Sequence, residues 1–112
     1  MINTEDLTLK QVRELQSILG SNTQNEAHPW EIGAHYVIRT VTMIQTGTLK
    51  AVYKNELLLS EAVWVADTGR FHDFLKDPSK LNESEPFTDD VIVGRGSIVD
   101  AQKIPKYKAS QK

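Results

Sequence analysis

The sequence predicts a mainly-β domain: a small, strongly bent five-stranded β-barrel with an N-terminal α-helix and a long insert loop that carries a short helix. Three observations lead there. Residues 35–66 are dominated by β-branched and aliphatic side chains, broken only by short turn signals. Two short apolar runs, Val91-Ile92-Val93 and Ser97-Ile98-Val99, flank the tight corner Gly94-Arg95-Gly96. Ahead of both, Leu9, Val12, Leu15, Ile18 and Leu19 recur at helical spacing. A chain of 112 residues has the length of one domain, 1–112. Strands this short, curling at glycines, can close their own edges.

The helix is expected over residues 7–19. Thr8 and Gln11 match a capping box, Leu7 and Val12 form a hydrophobic staple, and Gly20 supplies the stop. Its apolar stripe suits packing against the body or a second subunit, because the opposite face is not strongly cationic. Residues 21–33 read as a polar connector interrupted by Pro29, with Trp30 as an aromatic anchor. A three-stranded meander follows over 35–66. The first strand runs from His35 to Ile44, and Thr46-Gly47 is the expected turn. Leu49, Ala51 and Tyr53 then alternate with Thr48, Lys50, Val52 and Lys54, giving a strand with one wetter face. Asn55-Glu56 turns the chain into Leu57–Ala66, apolar enough to be central or covered on both faces. Asp67-Thr68-Gly69-Arg70 breaks the pattern and opens a variable loop over 67–90, where Phe71, Phe74 and Leu75 have the spacing of a short helix ending near Pro78. Closing strands occupy 91–101, and a basic tail over 102–112 is expected to be extended or disordered.

The absence of cysteine excludes disulfides, thiolate nucleophiles and sulfur-ligated metals. No apolar run approaches the roughly 20 residues that span a bilayer, and Met1–Asp6 holds two acids and no base, so no signal peptide is indicated. The expected location is the cytoplasm. A formal charge of −2 argues against broad attraction to DNA. That total conceals an uneven distribution: residues 76–90 carry −3 and residues 91–112 carry +4.

Gly47-Thr48-Leu49-Lys50-Ala51-Val52, followed by Leu57-Leu58-Leu59, resembles the first motif of the Sm-like RNA-binding family, and Val91–Val99 looks like its second. The resemblance covers Leu7 to Ala101 if 67–90 is an enlarged loop. It implies an Sm-like or SH3-like barrel, an N-terminal helix, and assembly into rings through the edge strands. It departs from the family at the base-binding positions. Tyr53 stands where the family has an aspartate, and the Met-Asn pair falls on Glu56-Leu57 or Leu57-Leu58. A second and closer resemblance is to small uncharacterised proteins of bacteriophages and bacteria. It is carried by Ile38-Arg39-Thr40-Val41-Thr42, Ala66-Asp67-Thr68-Gly69-Arg70-Phe71 and Val93-Gly94-Arg95-Gly96. It implies a phage or prophage product, located in the host cytoplasm, with no assigned activity.

No catalytic constellation stands out. His28, His35 and His72 lack ligand spacing, and Gly94-Arg95-Gly96-Ser97 is neither a nucleophile elbow nor a phosphate loop. The chain is therefore expected not to be an enzyme and to need no metal or cofactor. Binding fits better. Arg39 sits in an apolar, threonine-rich strand, where an unpaired charge is costly, so it points to solvent, pairs with an acid such as Asp67, or lines a polar cavity. Arg70 and Arg95 occupy glycine turns whose amides, with guanidinium groups, can cradle an anion. Thr40, Thr42 and Thr68 offer hydroxyls, Trp64 and Phe71 stacking faces, and Asp67 and Gly69 shape the corner. The bland alternative has Arg39 and Arg70 paired with Asp67 and Asp73, and Trp64 in the core. The expected function is a homo-oligomeric binding protein, with a ring as one form, for single-stranded RNA or a small nucleotide. The alternative is a phage-encoded interaction module, an assembly accessory or inhibitor of a host protein, that uses the 67–90 loop.

Overall fold

The structure, a computed structural model, describes residues 28–112. The helix expected over 7–19 lies outside the described residues. The chain divides into two compact units, Met1–Trp30 and Glu31–Lys112. Of the first, residues 28–30 are described, and there the Trp30 amide donates to Nδ1 of His28 at 3.2 Å. The second unit is built from β1 (His35–Thr40), β2 (Ile44–Val52), β3 (Glu56–Asp67), α1 (Phe71–Lys76), a 3-10 turn at Pro78–Lys80, β4 (Glu83–Pro86), β5 (Val91–Gly94), a second 3-10 turn at Arg95–Ser97, and β6 (Ile98–Lys103). It is a mainly-β fold with one short helix.

The meander forms, but its first turn lies elsewhere than the glycine suggested. The chain reverses at Val41–Met43, where the Thr40 hydroxyl accepts from the amides of Thr42 and Met43 and donates to the Met43 carbonyl. One hydroxyl thus replaces a glycine as the turn-former. Thr46 and Gly47 sit inside β2, opposite β3. Between the pairs Thr46↔Val63 and Thr48↔Ser60, β3 has one residue more than β2, a bulge that includes Glu61. A Cβ on Gly47 would come within 3.1 Å of the Leu59 Cβ, so glycine here permits close approach of two strands. Glu61 itself adopts φ 53°, a left-handed conformation uncommon for a residue with a side chain.

All pairings are antiparallel, in the order β4-β3-β2-β1-β6, with β5 also on β3. The expected barrel is therefore incorrect: the sheet does not close. At 12 residues β3 is long enough to share its second edge between two short strands. Leu57–Leu59 pair with β5, and Val63–Asp67 pair with β4. The sheet forks there, while β6 pairs with β1 alone among the described residues. The link between β5 and β6 is the Arg95–Ser97 turn, and no ladder joins them.

On one face Val37, Val63, Val65, Phe74, Leu81 and Ile104 form a continuous apolar cluster. Each fully buried aliphatic or aromatic side chain of this kind contributes roughly 1.5–3 kcal/mol. β3 is central, one of the two placements its composition suggested, and Glu61, Trp64 and Ala66 are exposed in alternation with Val63 and Val65. The 67–90 segment contains the expected helix but is no free loop. Phe74, Pro78 and Leu81 are buried, and β4 joins the sheet. The tail has no regular structure beyond Lys103, yet it is docked. Ile104, Tyr107 and Ala109 pack on the same core cluster, and Lys112 exchanges two backbone hydrogen bonds of 2.9 Å with Ser84 of β4. The tail thereby occupies the outer edge of β4.

Candidate functional site

The ten residues singled out from the sequence fall into four places. At the corner after β3, the Asp67 carboxylate accepts from the Gly69 amide at 2.8 Å and Gly69 takes φ 68°, so both serve the turn. The Thr68 hydroxyl is spent locally on the Gly69 carbonyl. Arg70 then caps α1 from the residue before it, exposed, with no ion pair among the described residues. Arg39 does not pair with Asp67. It makes a two-point contact with Asp100 of β6, one arm at 2.7 Å, and its guanidinium lies 5.2 Å from the centre of the Phe71 ring. The hydrogen bond to Asp100 raises the Arg39 pKa, and the same bond holds the Asp100 carboxyl below its ordinary range. Phe71 in turn stacks on Phe74, linking this surface group to the core.

Arg95 does a different job. Its guanidinium donates to the carbonyls of Tyr53 and Lys54, at 2.8 and 3.2 Å, and so secures the β2–β3 turn. Thr40 and Thr42 line a groove of about 250 Å³ with Met43, Phe87, Ile92 and Ser97, between the β1–β2 turn and β5. Trp64 is 37% exposed rather than core, and it borders a separate groove with Glu83, Glu85 and Lys112. Of the ten, Arg39 and Phe71 are brought into contact across the fold.

The most densely functionalised place lies elsewhere, and sequence reasoning passed over it. A groove of about 530 Å³ is bordered by His35, Glu61, Phe87, Lys106, Tyr107 and Lys108. His35 on β1 is 6% exposed, and its Nδ1 lies 3.1 Å from the Thr48 hydroxyl. That hydroxyl donates to Glu61 Oε1 at 3.3 Å, so its oxygen accepts from His35 Nδ1–H. The order His35→Thr48→Glu61 continues to Lys106, whose ammonium is 3.0 Å from Oε1. This leaves the lone pair of His35 Nε2 buried and without a hydrogen-bond partner among the described residues. Tyr107 meets the imidazole edge to face, with ring centres 5.6 Å apart, while its hydroxyl lies 2.8 Å from that of buried Thr46.

The electrostatics follow from the packing. Burial depresses the His35 pKa, Lys106 adds to the depression, and Glu61 opposes it. Burial raises Tyr107, against the bond to Thr46. Its hydrogen bond and charge attraction to Lys106 hold Glu61 low. Only the bulge lets Glu61 reach this network, and the signal for it was Gly47 inside a strand-forming run. Among the described residues no three or more histidines, aspartates or glutamates are grouped to hold a metal. No helix of the described residues is long and apolar enough to cross a membrane. Comparison with family models, curated proteins and solved structures gave no match.

Proposed function

We propose that this chain is a self-associating interaction module that uses the free strand edges of β5 and β6. One observation carries the reading: β5 on β3 and β6 on β1 each have an edge without a strand partner among the described residues, and each carries an exposed apolar side chain. Val41, Ile92 and Val99 are 74%, 68% and 62% exposed, and Ile92 with Met43 and Phe87 borders the groove beside β5. Exposed apolar side chains at an unpaired strand edge favour strand addition, here by a second copy. A head-to-tail contact of β5 with β6 closes into a ring if the rotation per subunit divides the circle.

Sedimentation velocity across a concentration series tests it. Wild-type protein is expected to sediment as a closed oligomer, with Ile92→Lys and Val99→Lys shifting it to monomer. A monomeric wild type, or an oligomer unchanged in both variants, overturns the reading.

A second reading is favoured by a different observation. Arg70 has no ion pair among the described residues and stands next to Phe71, which already carries Arg39 on its ring. A guanidinium without a carboxylate partner suits an anion such as the phosphate of a nucleotide or of single-stranded RNA. Binding of nucleotides and short RNAs at low salt, lost in Arg70→Ala and Arg39→Ala, supports it. Binding unchanged in both variants rejects it.

A further inference from the structure

We propose that residues 104–112 form a latch closed over His35 and β4, which opens when the His35 imidazole takes up a proton. The proposal concerns a different surface from the β5–β6 edges. Its first support is the way the latch is seated. The Ile104 amide donates to the His35 carbonyl at 2.9 Å, Lys106 pairs with Glu61, and Tyr107 abuts the imidazole. The Ser110 carbonyl accepts from the Ser84 hydroxyl, and Lys112 pairs with the Ser84 backbone. A segment of nine residues is thus fastened at both ends and touches the buried histidine near its start.

The second support is the direction of the hydrogen bonds. With Thr48 committed to Glu61, Nδ1 carries the proton of the neutral ring and Nε2 is the bare acceptor. Nε2 is closed to molecules the size of water, so the groove as it stands cannot deliver a ligand to it. A proton added there creates a buried charged N–H with no acceptor, which is strongly unfavourable. The groups facing the ring are the Thr48 hydroxyl from β2, the Glu61 carboxylate from β3, and Lys106 and the Tyr107 ring from the latch itself. Glu61 is already engaged by Lys106, and Lys106 repels the new charge. The arrangement that solvates the imidazolium is the one in which the latch moves away. Its departure uncovers the outer edge of β4 and the apolar face around Val37, Val63 and Phe74, on which Ile104 and Tyr107 pack.

The test is a pH titration of the full chain followed by NMR. The expected result is that the Ser84 and Lys112 amides leave their docked positions in one transition. Its midpoint should coincide with that of the His35 ring proton and lie below the ordinary imidazole value of 6.5. Amides of β1, β2 and the first half of β3 should remain in place. Lys106→Gln should raise both midpoints, and His35→Gln should keep the latch closed throughout. Tail amides that stay fixed while His35 titrates overturn the proposal. So does release in His35→Gln at the wild-type pH. Should His35→Gln fail to fold, the coincidence or separation of the two wild-type midpoints decides.

Discussion

Replacing Tyr107 by Phe deletes one oxygen atom and tests whether the tail is part of the folded structure. The hydroxyl sits 2.8 Å from the Thr46 hydroxyl, and Thr46 is 0% exposed on β2. Without its partner, a buried hydroxyl loses its hydrogen bond and gains none from water, at a cost of about 1–3 kcal/mol. A threonine hydroxyl can rotate toward a nearby carbonyl, which places the expectation in the lower half, about 1–2 kcal/mol. For a domain of this size each kcal/mol lowers Tm by about 4–8 °C. Urea unfolding at neutral pH gives the free energy, and the double variant with Thr46→Val gives the coupling. With both hydroxyls gone no polar group is stranded, so the double variant should be more stable than the sum of the two single losses implies, by about 1 kcal/mol. A Tyr107→Phe variant within about 0.3 kcal/mol of wild type, with no coupling to Thr46→Val, would show that the ring is not docked.

Three further outcomes follow from the same packing. Phe74→Ala should cost about 3–5 kcal/mol in urea unfolding, because the residue is fully buried at the centre of the core cluster; a loss under about 1 kcal/mol would mean that the insert is not anchored. Gly47→Val should destabilise by about 1–3 kcal/mol, since the new side chain meets Leu59 at the bulge, whereas an unchanged midpoint would remove the close approach as the reason for glycine. Stability should also fall as pH drops below 6.5. A depressed His35 pKa means that the unfolded chain binds the proton more tightly, so this contribution is complete above the unfolded value and is lost between it and the lower folded value. Comparing the pH profiles of wild type and His35→Gln checks the sign: that slope should disappear in the variant, and a slope retained unchanged would assign it to other groups.

Much of the fold was legible. The strand-forming run over 35–66 does become a meander, and Phe71, Phe74 and Leu75 do lie on a short helix, because local periodicity records which face is to be buried. Thr46-Gly47 misled because glycine most often punctuates turns. The turn was formed instead by the Thr40 hydroxyl, a local signal that was present but unread. The basic tail misled for a different reason. Its lysines dominate its composition, while Ile104, Tyr107 and Ala109 are spaced too irregularly to announce a buried face. Several of those lysines are engaged in the fold: Lys103 pairs with Glu31, Lys106 with Glu61, and Lys112 donates to Ser79.

The charge of −2, the lack of cysteine, the strand content and the short helix were determined by the sequence alone, because each depends on composition or on neighbours a few residues apart. Closure of the sheet was not. It depended on how the second edge of β3 was divided between β4 and β5, a competition among segments tens of residues apart. The His35–Thr48–Glu61–Lys106 network has the same origin. Four residues from β1, β2, β3 and the tail meet only because one bulge turns Glu61 toward them, and the tail returns across the sheet to β4.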